Sequence, residues 1–167
     1  MNVELSVYDP AVIYLGQGQF DCERDDINRF VRKSLKPQVK RSLSTAYVLT
    51  DPTQQHRFAG FYTIAFHALD MSELASLHLG SLPRKVPCLR LIMLGVDKQY
   101  KGQKLGKQLT RHALALTKRL GEEAGSFGLY LDADPKVIGF YQKLGFVLLD
   151  GDKTPLPSPM FIQRSAI

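Results

Sequence analysis

Residues 91–120, LIMLGVDKQYKGQKLGKQLTRHALALTKRL, constrain this chain more than any other stretch. An apolar run of strand type over residues 91–96 stops at Asp97 and gives way to a basic turn holding Gly102 and Gly106. The turn opens an amphipathic helix in which Leu105, Leu109, Ala113, Leu116 and Leu120 share one face. Glycines admit a close backbone approach, and a helix start offers unpaired N–H groups at the positive end of the dipole. Strand, glycine turn and helix start in that order make a cradle for a diphosphate. Lys98, Lys101, Lys104, Lys107, Arg111, Lys118 and Arg119 add positive charge, and no acidic residue interrupts them. A basic loop ahead of a surface helix is the competing reading of the same residues.

The 167 residues are expected to form a single domain spanning 1–167, enough chain to bury a real core. No apolar run approaches the roughly 18 residues that span a bilayer, and the polar start MNVELSVYDP has no signal-peptide core. A cytoplasmic protein without a membrane partner is therefore expected. Cys22 and Cys88 give neither a disulfide framework nor a metal-ligand spacing, and His56, His67, His78 and His112 are scattered. No metal site is expected. A formal net charge of +6 points to an anionic partner, either nucleic acid or a phosphorylated small molecule. Arg32, Lys33, Lys36, Lys40 and Arg41 form a second acid-free basic segment.

Residues 3–8 and 12–15 are candidate edge strands. Asp21 is placed to N-cap a helix through about Lys33, with Ile27, Phe30 and Val31 facing inward. Residues 42–50 and 57–66 read as two strands joined through the polar turn DPTQQH, and residues 70–78 as a short helix. Residues 88–96 are nearly all apolar, as in a strand buried on both faces. Residues 128–133 form the next strand. Asp134 and Pro135 then supply an N-cap and a first helical residue, and Gly145 closes that helix at about Leu144. Residues 146–149 and 160–163 complete the set. A hairpin followed by alternating strands and helices gives an α/β fold with a mixed sheet.

With the glycine turn and the segment DADPKVIGFYQKLGF both in place, the chain resembles the GNAT superfamily of acetyl-CoA-dependent N-acetyltransferases over roughly residues 40–150. Its turn reads Lys101, Gly102, Gln103, Lys104, Leu105 and Gly106. Lys101 stands where that family prefers Arg or Gln, and Lys104 where it has glycine. A lysine there is tolerable where its φ stays negative, and its side chain narrows the approach to the phosphates. Phe140-Tyr141 and Gly145-Phe146 match the second motif. The resemblance implies a mostly antiparallel sheet of six to seven strands flanked by about four helices. A narrower likeness reaches almost the whole chain. Phe20-Asp21-Cys22, Ile27-Asn28-Arg29-Phe30, Leu82-Pro83 and Cys88-Leu89-Arg90-Leu91 are similar to the GNAT toxins of bacterial toxin–antitoxin pairs. Glu23 replaces their usual glycine. Those relatives acetylate the α-amine of aminoacyl-tRNA and block translation. They are silenced by a ribbon-helix-helix antitoxin, through which alone the pair meets operator DNA.

By this resemblance Leu94, Gly95 and Val96 offer a strand edge to the pantetheine amides of acetyl-CoA. The N–H near Leu94 polarises the thioester carbonyl. Gly102, Gln103, Lys104, Leu105, Gly106 and Lys107 hold the diphosphate, with Lys101 adding charge. Asp134 and Phe140 lie where the family also contacts the coenzyme, although helix capping is the simpler account of Asp134. Tyr141 is the expected general acid, since a tyrosine of ordinary pKa about 10 stays protonated at neutral pH. Packing of its ring on the sheet is the plainer role. Residues 89–96 contain no carboxylate to act as base. A lysine amine is neutral only about once in a few thousand molecules at pH 7, whereas the amine of an aminoacyl ester is far more acidic. A site without a base therefore suits the ester amine, with Asp132 or a water chain as the other routes for the proton.

Arg32, Lys33, Lys36, Lys40 and Arg41, with Arg84, Lys85 and Arg90, are the expected grips on tRNA phosphates. Two other functions fit the same residues. A small amine or a protein N-terminus is one substrate, favoured if Glu23, Asp25 and Asp26 line an acidic cleft. A non-catalytic binding module, its coenzyme groove closed by Lys104, is the other. Whether the chain forms a homodimer is open.

Overall fold

A computed structural model describes residues 2–167. It contains β1 (Glu4–Val7), α1 (Asp25–Arg29), a π-helical turn (Phe30–Ser34), α2 (Leu35–Lys40), β2 (Thr45–Asp51) and β3 (Arg57–Asp70). These are followed by β4 (Lys85–Val96), α3 (Leu105–Glu123), β5 (Gly128–Ala133), α4 (Ile138–Lys143), β6 (Val147–Leu148) and β7 (Ser158–Gln163). The strand order is β1-β2-β3-β4-β5-β7-β6, and of the registered pairs only β4 with β5 is parallel. This is the mixed, mostly antiparallel sheet with four α-helices that the sequence predicts.

Several boundaries differ from expectation, each for a local reason. Residues 12–15 form irregular chain rather than a strand, with Ile13 92% exposed. Asp21 does not cap the first helix: Arg24 is the N-cap and makes no side-chain cap bond. The Asp21 carboxylate instead accepts from the Glu23 N–H at 2.8 Å and from Asn28 Nδ2 at 3.0 Å. The segment after Arg29 widens into π geometry before regaining α geometry at Leu35. Residues 42–44 stay outside β2, and Ser42 takes a φ of 59°. Residues 71–77 wind as a 3-10 helix under an Asp70 cap.

Two compact units make up the chain. The first holds residues up to Ala65 together with Ile92–His112. Its core gathers Tyr8, Phe20, Phe30, Val31, Leu35, Ala46, Val48, Phe58 and Phe61. Phe20 meets Phe58 and Phe61 edge-on at 5.4 and 5.7 Å, the packing that aromatic quadrupoles favour. β1 pairs with β2 from Glu4 opposite Thr50 to Val7 opposite Tyr47, and β2 pairs with β3 across a bulge at Leu49/Thr50.

The second unit holds Phe66–Leu91 and Ala113–Ile167. Here Leu69, Leu74, Val86, Cys88, Tyr130, Leu149 and Phe161 cluster. β5 pairs with β7 along its whole length, from Gly128 opposite Gln163 to Ala133 opposite Ser158. On its other side it meets β4 with Leu89 opposite Leu129 and Arg90 opposite Tyr130. Asp134 accepts from the Lys136 N–H at 2.9 Å and Pro135 follows it into the turn that starts α4, as the Asp-Pro pair predicts.

Candidate active site

In the first unit, β4 ends at Val96 and the chain turns through Asp97. Asp97 is only 3% exposed, and its two carboxylate oxygens accept from the Gln99 N–H at 2.9 Å and the Asp21 N–H at 3.1 Å. It is a tether for two backbone segments rather than a base. Lys98 returns the tie, its N–H donating to the Asp21 carbonyl at 2.8 Å and its ammonium lying 3.2 Å from the Asp21 carboxylate. Those donors hold the Asp21 carboxyl down at about 2, the Glu23 N–H first among them, then Asn28 and Lys98. One residue beyond Lys98-Gln99, Tyr100 is buried and donates to Asp51 at 2.8 Å. Burial pushes its phenol up to about 12, assisted by the Asp51 carboxylate.

Gly102 then takes a φ of 82°, a left-handed conformation that glycine adopts without steric cost. Lys104 shares it, with φ 59°, so the negative φ that would spare a lysine strain there is not adopted. The chain takes that conformation at both positions as it swings into α3. The Lys104 side chain is exposed. The Lys104 carbonyl accepts the Gln108 N–H at 3.1 Å as the first helical bond. The N–H groups of Leu105, Gly106 and Lys107 therefore precede the ladder and point out of the helix end. A Cβ on Gly106 would meet nothing within 4 Å, so the surface before it is open. Unpaired N–H groups, a positive helix end and an open glycine surface fit a diphosphate. Upstream, Leu94 and Val96 are half-buried and Gly95 is buried. A Cβ at Gly95 would press on Ile27, Phe20 and Cys22, at 3.2 to 3.4 Å, so glycine there lets the first helix segment seat against β4.

Lys101 is exposed and already engaged. Its ammonium lies 3.0 Å from Glu23 and 3.3 Å from the Cys22 carbonyl. The Cys22 N–H donates to Asn28 Oδ1 at 2.8 Å, which explains the Phe-Asp-Cys and Ile-Asn-Arg-Phe segments: they build one tethered loop. Sequence reasoning missed Asn28 and Asp97 as parts of this loop. Their spacing from the glycine turn carries no local signal.

Tyr141 belongs to the second unit, on α4. It is 8% exposed, and burial alone pushes its phenol up to about 12. Its ring stands edge-on to Phe140 at 5.0 Å and to Phe146 at 5.5 Å. Gly145, φ 101°, ends the helix and lets the Phe146 N–H return to the Tyr141 carbonyl at 3.1 Å. The Phe-Tyr and Gly-Phe pairs thus form one aromatic mount for a phenol fixed in its protonated form.

Asp132 offers little as a base. It accepts from the Tyr130 hydroxyl at 2.9 Å on one oxygen and from Arg90 at 3.1 Å on the other. Arg90 also lies 5.7 Å from the Tyr130 ring centroid, and His67 stacks on that ring at 5.3 Å. Lys85 pairs with Asp70 at 3.5 Å, and Arg84 is exposed. Of the earlier basic segment, Arg32 donates twice to the Phe20 carbonyl, at 2.7 and 3.1 Å, so it fastens the tethered loop. Lys33, Lys36, Lys40 and Arg41 are exposed. Of the three acidic residues of this segment, Asp26 pairs with Arg24 at 3.5 Å and Glu23 with Lys101 at 3.0 Å, and Asp25 is exposed. Among the described residues no group of His, Cys, Asp or Glu could hold a metal ion, and no helix is long and apolar enough to cross a membrane.

Comparison with known proteins agrees with this geometry. The family model of the acetyltransferase (GNAT) domain matches residues 47–148. A bacterial toxin of known structure is 33% identical, with a TM-score of 0.92 over 98% of this chain and 92% of that one. AtaT complexed with acetyl-methionyl-tRNAfMet is 24% identical, with a TM-score of 0.86 over 98% and 96%. A tyrosine-to-phenylalanine mutant of AtaT, bound to the C-terminus of the antitoxin AtaR and acetyl-CoA, is 23% identical, with a TM-score of 0.81 over 98% and 94%. The glycine turn at the head of α3, the aromatic mount of Tyr141 and the matched family model lead to one conclusion: this chain belongs to the GNAT N-acetyltransferases, enzymes whose acetyl donor is acetyl-CoA.

Proposed function

We propose that this enzyme acetylates the α-amine of aminoacyl-tRNA in the cytoplasm, arresting translation as the toxin of a toxin–antitoxin pair. The observation that carries the reading is the 33% identity and 0.92 TM-score shared with a bacterial toxin along nearly the whole of both chains. The fate of the carboxylates supports it. Asp97 and Asp132 have their oxygens engaged by donors, so the enzyme suits an amine that is already partly neutral. A lysine amine would need a base; an aminoacyl ester amine does not.

Bound acetyl-CoA supplies a thioester whose carbonyl carbon is the electrophile. The N–H groups of Gly102, Gln103, Lys104, Leu105, Gly106 and Lys107 bind its diphosphate at the head of α3. The backbone of Leu94, Gly95 and Val96 aligns the pantetheine arm, and the N–H near Leu94 stabilises negative charge on the carbonyl oxygen. Tyr141 donates its proton to the departing sulfur. A phenol pushed up to about 12 is fully protonated at neutral pH. As the C–N bond forms and the C–S bond breaks its proton goes to sulfur, and the phenol is restored by the proton that the attacking amine sheds, which offsets the uphill transfer from phenol to thiolate. Phe140 fixes the angle of that phenol. Asp134 caps the turn before α4 and so sets where Tyr141 sits.

Lys33, Lys36, Lys40, Arg41 and Arg84 meet tRNA phosphates without reading sequence; Arg32, Lys85 and Arg90 do so only where their present partners leave a donor free. A ribbon-helix-helix antitoxin is the proposed silencing partner, a reading supported by the antitoxin-bound AtaT to which the fold is similar. Purified protein with acetyl-CoA should acetylate charged tRNA and stop cell-free translation. Undisturbed translation by a preparation that acetylates a small amine or a protein N-terminus overturns the tRNA reading in favour of that substrate.

A further inference from the structure

Glu23 stands out in the first unit. It occupies a left-handed conformation, φ 68°, that side chains other than glycine rarely adopt. Its backbone is pinned at two successive N–H groups. The Glu23 N–H donates to Asp21 Oδ1 at 2.8 Å, and the preceding Cys22 N–H donates to Asn28 Oδ1 at 2.8 Å. Asp21 and Asn28 are themselves joined at 3.0 Å. The carboxylate on this fixed base reaches the Lys101 ammonium at 3.0 Å, and the Cys22 carbonyl takes a second of its protons at 3.3 Å. Lys101 is the first residue of the coenzyme turn, one residue before Gly102. Both members of the pair are substantially exposed, at 48% for the Lys101 side chain and 61% for Glu23. Such a pair contributes little to stability and exchanges readily for another anion.

We propose that Glu23 tunes coenzyme affinity downward by competing with the coenzyme phosphates for the Lys101 ammonium. The inference rests on the acetyl-CoA reading of the glycine turn. The residue at position 101 has a long stem and a mobile ammonium. Bound to Glu23 it is neutralised and turned toward the N-terminal loop; released, it adds a positive charge beside the diphosphate. Glu23 also places its own negative charge near an incoming polyanion. Both effects oppose binding, and both vanish when the carboxylate becomes an amide of the same shape. Glu23 is therefore a positioning residue, acting through Lys101.

Isothermal calorimetry with free coenzyme A tests this on the intact chain. Glu23→Gln should bind about three- to tenfold more tightly than wild type at low salt, and the gain should shrink as added salt screens the charges. The same variant should lower KM for acetyl-CoA more than it changes kcat. Lys101→Met should weaken binding, and adding Glu23→Gln to Lys101→Met should restore only a minor part. Equal or weaker binding by Glu23→Gln overturns the proposal, as does the full gain persisting without Lys101. Wild type that binds no coenzyme A overturns the coenzyme reading itself and this inference with it.

Discussion

The two units solve different problems with different materials. The first shapes a backbone. Its polar groups, Asp21, Asn28, Asp51, Asp97 and Tyr100, are spent on N–H groups and on one another, and the result is a tethered loop beside a glycine turn. The second shapes one side chain. Tyr141 is mounted between Phe140 and Phe146 on a helix started by Asp134 and ended by Gly145, with burial alone setting its phenol. Binding a polyanion calls for many aligned N–H groups, each modest, whereas moving a proton calls for one group of the correct protonation state. The division teaches that damage to the first unit should appear as lost affinity, and damage to the second as lost turnover.

The sharpest separation comes from Tyr141→Phe, which removes one oxygen from the aromatic mount. We expect kcat to fall about a hundredfold or more while coenzyme affinity holds, a typical cost of losing a positioned proton donor; expression of this variant should no longer arrest growth. A rate within tenfold of wild type would break the comparison. A matched glycine pair comes next. A Cβ at Gly128 would overlap the Ile162 carbonyl and the Phe161 ring, so Gly128→Ala should destabilise by about 3 kcal/mol in denaturant melts. A Cβ at Gly106 meets open space, so Gly106→Val should leave the melt close to wild type and weaken coenzyme binding about tenfold.

Alkali probes burial in both units. The phenols of Tyr100 and Tyr141 lie near 12 in the fold and near 10.0 when unfolded, so the folded state keeps protons that the unfolded state loses. Their contribution is complete below pH 10 and disappears as pH climbs through 12. For the well-buried Tyr141 it amounts to about 3 kcal/mol, visible as a falling Tm above pH 10. Phenylalanine at position 141 should flatten part of that decline. The smallest effect is a gain: Lys104→Gly relieves a left-handed lysine and should stabilise by about 1 kcal/mol. A loss of stability there would mean that the lysine stem packs better than its φ suggests.

What could be read in the chain beforehand tracks how local the cause is. Asp134-Pro135 and Gly145 announce α4 because caps act over three or four residues, and α3 follows from its leucine spacing. Asp21 misleads because the same carboxylate that caps helices also closes short turns, and Asn28 competes for it. Residues 12–15 have strand composition but find no ladder, which only a distant partner could have supplied. β3 outruns its predicted end by four residues, since pairing with neighbours decides where a strand stops. Of the residues proposed for the active site, the glycine turn and Tyr141 carry local sequence motifs. The engagement of Lys101 by Glu23, of Arg32 by Phe20 and of Arg90 by Asp132 joins residues far apart in sequence, where no spacing rule reaches.

The tether through Asp21 has a consequence for acid tolerance. Its carboxyl titrates near 2 in the fold against an ordinary 3.8, so the bonds it accepts are intact above 3.8 and fade only as pH drops through about 2. Mildly sour buffers should therefore leave the loop that Asp21 ties to Lys98 and Asn28 in shape. Any activity lost between neutrality and pH 4 should trace to protonation of the substrate amine, and should recover at once on neutralisation.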